Sequence, residues 1–217
     1  MKIHSVPSPA IARVSVVVIL FAAAAAVPAA AIPAPAQTDP GCPAIIASLL
    51  PKTGSIRGGS YNAAGPMGMG SGSADLPFDH PCTKSEKYPA RISVAVTYYG
   101  GEMAEMLKMQ GDAANQQTLQ AAMDKLGQSE HAPRREKLGG GEIVYVAYET
   151  PCQPETIDTG KRTEYPPTPH VELKGVALTA NVRLEVDLEG RISLDLAKAA
   201  VSEVFENLKK ADFGRAR

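Results

Sequence analysis

The chain has 217 residues, 44% of them hydrophobic, and a formal net charge of −1 at neutral pH. That is enough apolar material for a core, and the length suggests one domain or at most two. The near-neutral charge argues against nucleic-acid binding, which needs a basic surface.

The first 36 residues predict a secretory signal peptide. The basic residues Lys2 and Arg13 precede an apolar run over 14–27, and A-x-A cleavage sites end at Ala31 and Ala36. The run is shorter than the roughly 20 residues of a membrane span, so we expect cleavage, after Ala31 first and Ala36 second. Cleavage after Ala36 would remove Lys2 and Arg13 and no acidic residue, so the mature form would carry a charge of −3. We expect it to have no membrane span. The Ala- and Pro-rich leader indicates an exported bacterial protein, periplasmic or secreted.

Three cysteines remain after this cleavage: Cys42, Cys82 and Cys152. In an oxidising compartment we expect one disulfide bond and one remaining thiol. Three pairings are possible, and Cys42 with Cys82 is slightly favoured. Cys82 with Cys152 becomes the better choice if the strands beginning near Arg91 and ending near Glu149 are antiparallel neighbours. No CxxC motif supports a redox or nucleophilic role.

The N-terminal part of the mature chain, 37–89, predicts a short helix and then irregular structure. Residues 42–50 begin with Pro43 in the first turn and carry an apolar face that should dock on the core. Seven glycines between 52 and 74 predict a flexible loop with one weak strand around 60–64. Three prolines predict that 75–89 is a second loop.

The next elements have clearer patterns. Apolar residues alternate over 91–99, which predicts a strand, and helical spacing over 102–126 predicts a helix, with a break at Gly111. The charged stretch 128–138 predicts a solvated loop. The continuous apolar run within 142–149 is typical of a central strand that is buried on both faces.

After a Pro-rich loop over 150–170, the alternation over 171–188 predicts one long strand. Its phase slips at Lys174–Gly175, which predicts a β-bulge, and its length predicts a bend near Asn181. A helix over 194–211 follows, with Ser193 as its N-cap, and its apolar stripe should cover the Val176 face of that strand. Residues 214–217 form a tail.

Together these elements predict a single α+β domain over 90–213. We expect a small, mostly antiparallel sheet, with strands near 91–99, 142–149 and 171–188, and both long helices packed on one face. A three-layer or partly parallel arrangement is the alternative.

Methionines form the first candidate site. Met103, Met106 and Met109 recur every third residue, and Met67 and Met69 lie in the Gly-rich segment. Met-x-x-Met-x-x-Met resembles the methionine motifs of periplasmic copper-handling proteins, and thioethers are ligands that select Cu(I). On a regular helix Met103 and Met109 diverge by about 120°, so core packing is the favoured interpretation.

Histidines form the second candidate site. His80, His131 and His170 lie in predicted loops, and any of them could act as a general base in a hydrolase. None has the spacing of a metal-ligand pair or a neighbouring catalytic partner.

The function that we expect is a non-catalytic binding or interaction module in the cell envelope, with an unknown protein or small ligand as its partner and no cofactor. A Cu(I)-binding protein ranks second and a hydrolase third. The polar face of the long strand, formed by Thr179, Asn181, Arg183, Glu185 and Asp187, should face solvent or a docking partner.

Overall fold

A computed structural model describes residues 42–78, 90–152 and 166–214. All of them belong to one compact unit. Within it lie three helices, α1 (Ala44–Ala47), α2 (Glu102–Leu126) and α3 (Leu194–Lys210), and seven strands: β1 (Ser55–Ala64), β2 (Met67–Leu76), β3 (Ala90–Tyr99), β4 (Arg134–Leu138), β5 (Gly141–Thr150), β6 (Thr168–Leu178) and β7 (Val182–Arg191). The predicted signal peptide, His80, Cys82 and residues 215–217 lie outside these residues. None of the described helices is long and apolar enough to cross a membrane.

The strands form one antiparallel sheet in the order β1-β2-β3-β7-β6-β5-β4. The prediction of a single α+β domain is confirmed, but the sheet is larger than expected. The helices also pack on both faces, so the three-layer alternative is the correct one. α1 contacts β1 and β2, α3 contacts β6 and β7, and α2 contacts β5 and β6.

The face covered by α1 and α3, the α3 face, holds the main core. Alternate residues of the central strands point there, including Ile92, Val94, Leu184 and Val186. Five residues of the predicted stripe of α3 are buried on it: Ala197, Val201, Val204, Phe205 and Leu208. The predicted cap is confirmed, since the Ser193 hydroxyl accepts a hydrogen bond from the Leu196 amide at 3.3 Å.

The opposite face, the α2 face, has a smaller apolar cluster. Leu119 and Leu126 of α2 pack there on Val144, Val146 and Val176. The prediction that α3 covers the Val176 face is therefore right for its second half, since Leu184 and Val186 lie in the core with α3, and wrong for Val176 itself, which lies beneath α2. β5 is buried on both faces as predicted, although it is next to the edge strand β4 rather than central.

The predicted long strand over 171–188 is a hairpin of β6 and β7. The chain reverses at Thr179, whose amide donates a hydrogen bond to the Val182 carbonyl at 2.9 Å. No bulge occurs at Lys174–Gly175, since the register with both neighbours is continuous there. Gly175 faces α3 instead, and a β-carbon at this position would lie 3.0 Å from Cζ of Phe205. The glycine gives space to the aromatic ring of Phe205. The apparent slip in phase arises because β6 buries apolar residues on both of its faces.

The Gly-rich segment that we expected to be a loop with one weak strand around 60–64 is the β1–β2 hairpin, and the expected strand is the end of β1. Gly68, Gly70 and Gly72 occupy alternate positions of β2 on the α3 face. A β-carbon at Gly70 would lie 2.7 Å from Cδ1 of Ile46 and 2.8 Å from Cδ2 of Tyr61. These glycines form a shallow recess in which the apolar side chain of α1 and the tyrosine ring lie, so packing outweighs their low strand propensity.

Two further expectations are corrected. α2 is continuous through Gly111, which approaches Leu178: a β-carbon there would lie 2.8 Å from Cδ2 of that leucine. The charged connector contains β4, whose residues pair with β5 from Arg134 to Leu138.

Candidate functional site

A groove of about 400 Å³ lies on the α2 face, between α2 and the β6–β7 hairpin. α2 contributes Thr118, Ala121, Ala122 and Lys125 to one wall. The strands contribute a row of charged side chains to the floor: Glu172, Lys174, Glu185, Asp187 and Glu189. We call this cavity the helix–sheet groove. Small and polar side chains of the helix thus face charged groups of the strands across one concave space, whose volume is within the range of small-ligand pockets.

Arg183 holds α2 against β7 at one end of this groove. Its Nε donates a hydrogen bond to Asn115 Oδ1 at 2.9 Å, and its Nη2 donates one to Thr118 Oγ1 at 2.7 Å. Its Nη1 lies 2.6 Å from Glu185 Oε1. The guanidinium therefore joins helix and sheet through two directed hydrogen bonds, while Glu185 of the same strand holds its third nitrogen, and this fixes the width of the groove.

Lys174 and Glu185 form the centre of the groove floor. Lys174 Nζ lies 2.8 Å from Glu185 Oε2 and 2.8 Å from Asp187 Oδ2. Burial opposes the charged form of Lys174, but its contacts with Asp187 and Glu185 outweigh burial and raise the pKa of its ammonium group. Burial likewise opposes ionisation of Glu185, but Lys174 and then Arg183 outweigh it and lower the pKa of the carboxyl group. Lys174 and Glu185 thus form an ion pair at the centre of the floor, in which each group favours the charged form of the other.

Glu172 and Glu189 continue this floor toward the end of the sheet. They are register partners on β6 and β7 and so project from the same face. The Tyr148 hydroxyl donates a hydrogen bond to Glu172 Oε1 at 3.0 Å. Burial raises the pKa of this phenol, and Glu172 and Glu189 raise it further. Glu189 has no ion-pair partner within the described residues and leaves an acidic group at the mouth of the groove.

Tyr148 also brings together two of the histidines singled out in the sequence. The rings of His131 and Tyr148 stack with centroids 4.2 Å apart, and the ring of His170 lies 5.0 Å from Tyr148 on a tilted plane. Because the tyrosine contacts both rings, the two imidazoles form an aromatic cluster beside the groove. In the part of the chain that the structure describes, no group of histidine, cysteine and acidic residues has the arrangement of a metal site.

The methionine candidates divide by exposure. Met69, Met106 and Met109 expose 62%, 51% and 75% of their surface. Core packing, the interpretation that we favoured, is therefore wrong for these three. Met67 and Met103 are half-buried. Met67 and Met69 project from the same face of β2, since they are two residues apart on one strand.

The cysteine candidates are only partly described. Cys42 carries a thiol and is half-buried beside β1, where a β-carbon at Gly59 would lie 2.8 Å from its Sγ. The structure thus does not support the pairing of Cys42 with Cys82. Cys152 follows β5 directly.

Sequence reasoning named part of this site and missed the rest. Arg183, Glu185 and Asp187 were recognised as one polar face of a strand, but α2 covers Arg183 and Glu185 rather than leaving that face to solvent. Glu172 and Lys174 were missed, although they alternate with Val171 and Leu173 and share the same signal.

Comparison with known proteins gives no relative for this chain. It matches no protein-family model, no curated protein and no solved structure.

Proposed function

We propose that this protein is an exported, non-catalytic binding module whose ligand occupies the helix–sheet groove. The observation that carries the proposal is the groove itself, with its volume of about 400 Å³ and its pairing of a helical wall with a charged floor. The Arg183 contacts support a preformed cavity, because they fix α2 at a set distance from β7.

Charge indicates the class of ligand. The lining includes four acidic side chains, Glu172, Glu185, Asp187 and Glu189, against two basic ones, Lys125 and Lys174. Since Lys174 is already engaged by Glu185 and Asp187, the remaining acidic groups at the mouth favour a ligand with at least one amino group.

The test uses spermidine as the cationic probe and succinate as the anionic control, each titrated calorimetrically into the mature protein. Ala121→Trp places a large ring in the groove, and Ala113→Trp places the same ring on the exposed side of the same helix. We expect wild type and Ala113→Trp to bind spermidine and Ala121→Trp to lose binding. Succinate binding as tight as spermidine binding, or equal affinity in both Trp variants, would contradict the proposal.

A second pair of variants tests the charge argument. Glu189→Gln should weaken spermidine binding by about one to two orders of magnitude, since one charge-assisted contact contributes roughly 1.5–3 kcal/mol. Glu149→Gln is the matched control, because Glu149 is an exposed strand glutamate outside the groove. An unchanged affinity in Glu189→Gln would place the cation elsewhere.

Export rests on the sequence of residues 1–36. N-terminal sequencing of the protein recovered from the periplasm or medium should show cleavage after Ala31 or Ala36. Recovery of the uncleaved chain in the cytoplasm would remove export from the proposal.

Cu(I) binding is the second candidate function, favoured by the exposure of Met69, Met106 and Met109. Exposed thioethers are available to a soft cation, whereas buried ones are not. In a Cu(I) competition titration, the triple variant Met103→Leu, Met106→Leu, Met109→Leu should bind more weakly than wild type. Met123→Leu, a half-buried methionine of the same helix, is the control. Equal affinity in all three proteins would eliminate this candidate.

The hydrolase hypothesis ranks third. It predicts that His80→Ala, His131→Ala or His170→Ala abolishes a measurable hydrolytic activity. The ring of His131 stacks on Tyr148, and among the described residues no hydroxyl or thiol donates a hydrogen bond to its nitrogens. Rates on a broad substrate panel that stay unchanged in all three variants would remove the hypothesis.

We also propose a disulfide bond between Cys82 and Cys152. β3 and β5 are not the antiparallel neighbours on which we made this pairing depend, since β7 and β6 lie between them. Two observations support it nevertheless: Cys42 carries a thiol, and the start of β3 lies at the same end of the sheet as the end of β5. Cross-strand pairing joins these ends in one row, from Arg91 through Glu189 and Glu172 to Val146.

A further inference from the structure

β1 is an edge strand with an open outer side. Among the residues that the structure describes, it pairs only with β2. It is ten residues long and has a single charged residue, Arg57, which forms an ion pair with Asp75 of the neighbouring strand. A long edge with little charge offers its unpaired amides and carbonyls to another strand.

The opposite edge of the sheet is built differently. β4 has five residues, and four of them are charged: Arg134, Arg135, Glu136 and Lys137. Short length and charge are the features by which proteins protect a sheet edge from pairing. The contrast indicates that only one of the two edges is protected.

The side chains of β1 leave its outer flank uncovered. The ring of Tyr61 lies inward over Gly68 and Gly70 of β2, and Ile46 of α1 lies over Gly59 and Gly70. A β-carbon added at Gly58 would meet no heavy atom within 4 Å. Among the described residues, the bulky groups near this edge therefore cover the interior of the hairpin rather than the outer backbone of β1.

We infer that β1 pairs antiparallel with β1 of a second copy of this chain, about a two-fold axis at Tyr61. The bulge between Ile56 and Gly58 leaves a regular segment from Gly58 to Ala64, which is centred on this residue. In the symmetric register, Gly58 lies opposite Ala64, Gly59 opposite Ala63, and Ser60 opposite Asn62. The contact is isologous, and it joins two seven-stranded sheets into one.

The self-complementarity of the strand favours a second copy over a foreign strand. Small residues oppose small residues, and the hydroxyl of Ser60 meets the amide of Asn62, so each has a hydrogen-bonding partner. Arg57 lies outside this regular segment, which has no charged residue, so no like charges face each other within it. Because Tyr61 lies over β2, the two rings at the axis do not obstruct the pairing.

The test is the mass of the mature protein in solution, by light scattering after size exclusion. Wild type should have the mass of two chains. In the double variant Ser60→Lys, Asn62→Lys, substituted positions of the two copies face each other with like charge, and the mass should fall to that of one chain. The control is Met69→Lys, Ser71→Lys, which alters the register partners one strand inward. It should keep the mass of two chains.

A second measurement does not depend on any variant folding correctly. In wild type, amide hydrogen exchange over 58–64 should slow as protein concentration rises, while exchange in β4 should not change. A wild-type protein with the mass of one chain and exchange independent of concentration would overturn the inference. So would equal dissociation in both double variants. A complex that contains a different polypeptide on β1 would overturn the assignment of a second copy.

Discussion

Replacing Arg183 with methionine should loosen α2 from the sheet and lower the free energy of unfolding by about 3 kcal/mol. Methionine keeps most of the aliphatic length and removes the three contacts to Asn115, Thr118 and Glu185. Asn115 is only 7% exposed. A buried polar group without its partner costs roughly 1–3 kcal/mol, and a hydrogen bond from a charged donor contributes about 1.5–3 kcal/mol.

Urea denaturation measures this change, with Arg134→Met as the control because Arg134 is an exposed residue of β4. A double-mutant cycle with Asn115→Ala should show a coupling energy above about 1 kcal/mol, since the two side chains are in direct contact. A loss below about 1 kcal/mol in Arg183→Met, or additive effects in the cycle, would refute the argument that this arginine fixes the groove.

The remaining predictions concern packing, pH and thiol content. Gly175→Ala should destabilise the protein by about 1–3 kcal/mol in urea denaturation, because the added carbon would lie 3.0 Å from Phe205; a neutral effect would contradict the packing described. Folding lowers the pKa of Glu185 from 4.5, so its contribution to the free energy of unfolding should be lost as pH falls through its folded pKa. Folding raises the pKa of Lys174 from 10.5, so its contribution should be lost as pH rises through its folded pKa. Lys174→Met should flatten both limbs of the stability–pH curve, and an unchanged curve would show that the pair contributes nothing. Alkylation of the denatured, unreduced protein should label Cys42 alone, and mass mapping that finds Cys42 in a disulfide would refute the proposed pairing.

The elements predicted well are those with periodic apolar residues and clear ends. α2, α3, β3 and β5 lie within one or two residues of the predicted bounds. In α3 both the Ser193 cap and the apolar stripe agree with the prediction, so local preference and tertiary packing indicate the same helix.

Only a weak strand around 60–64 was predicted within the β1–β2 hairpin, because glycine has a low strand propensity. Its signal was nevertheless present, since Gly68, Gly70 and Gly72 alternate with Met69 and Ser71 at the period of a strand. The glycines occur where Ile46 and Tyr61 need space, and that requirement depends on contacts distant in sequence.

The β6–β7 hairpin was missed because its turn has neither glycine nor proline. Thr179 compensates with its side chain, which accepts a hydrogen bond from the Val182 amide at 3.1 Å. The candidate site could not be predicted for a related reason. The groove exists because α2 crosses the face opposite α3, and no local pattern specifies which face a helix covers.

Native mass spectrometry of the mature protein, isolated from its own compartment, tests the binding-module proposal most directly. Wild type and Ala113→Trp should carry the same noncovalent organic mass, and Ala121→Trp should lack it. A bare chain in all three proteins, or the same added mass in Ala121→Trp, would contradict a ligand in the helix–sheet groove.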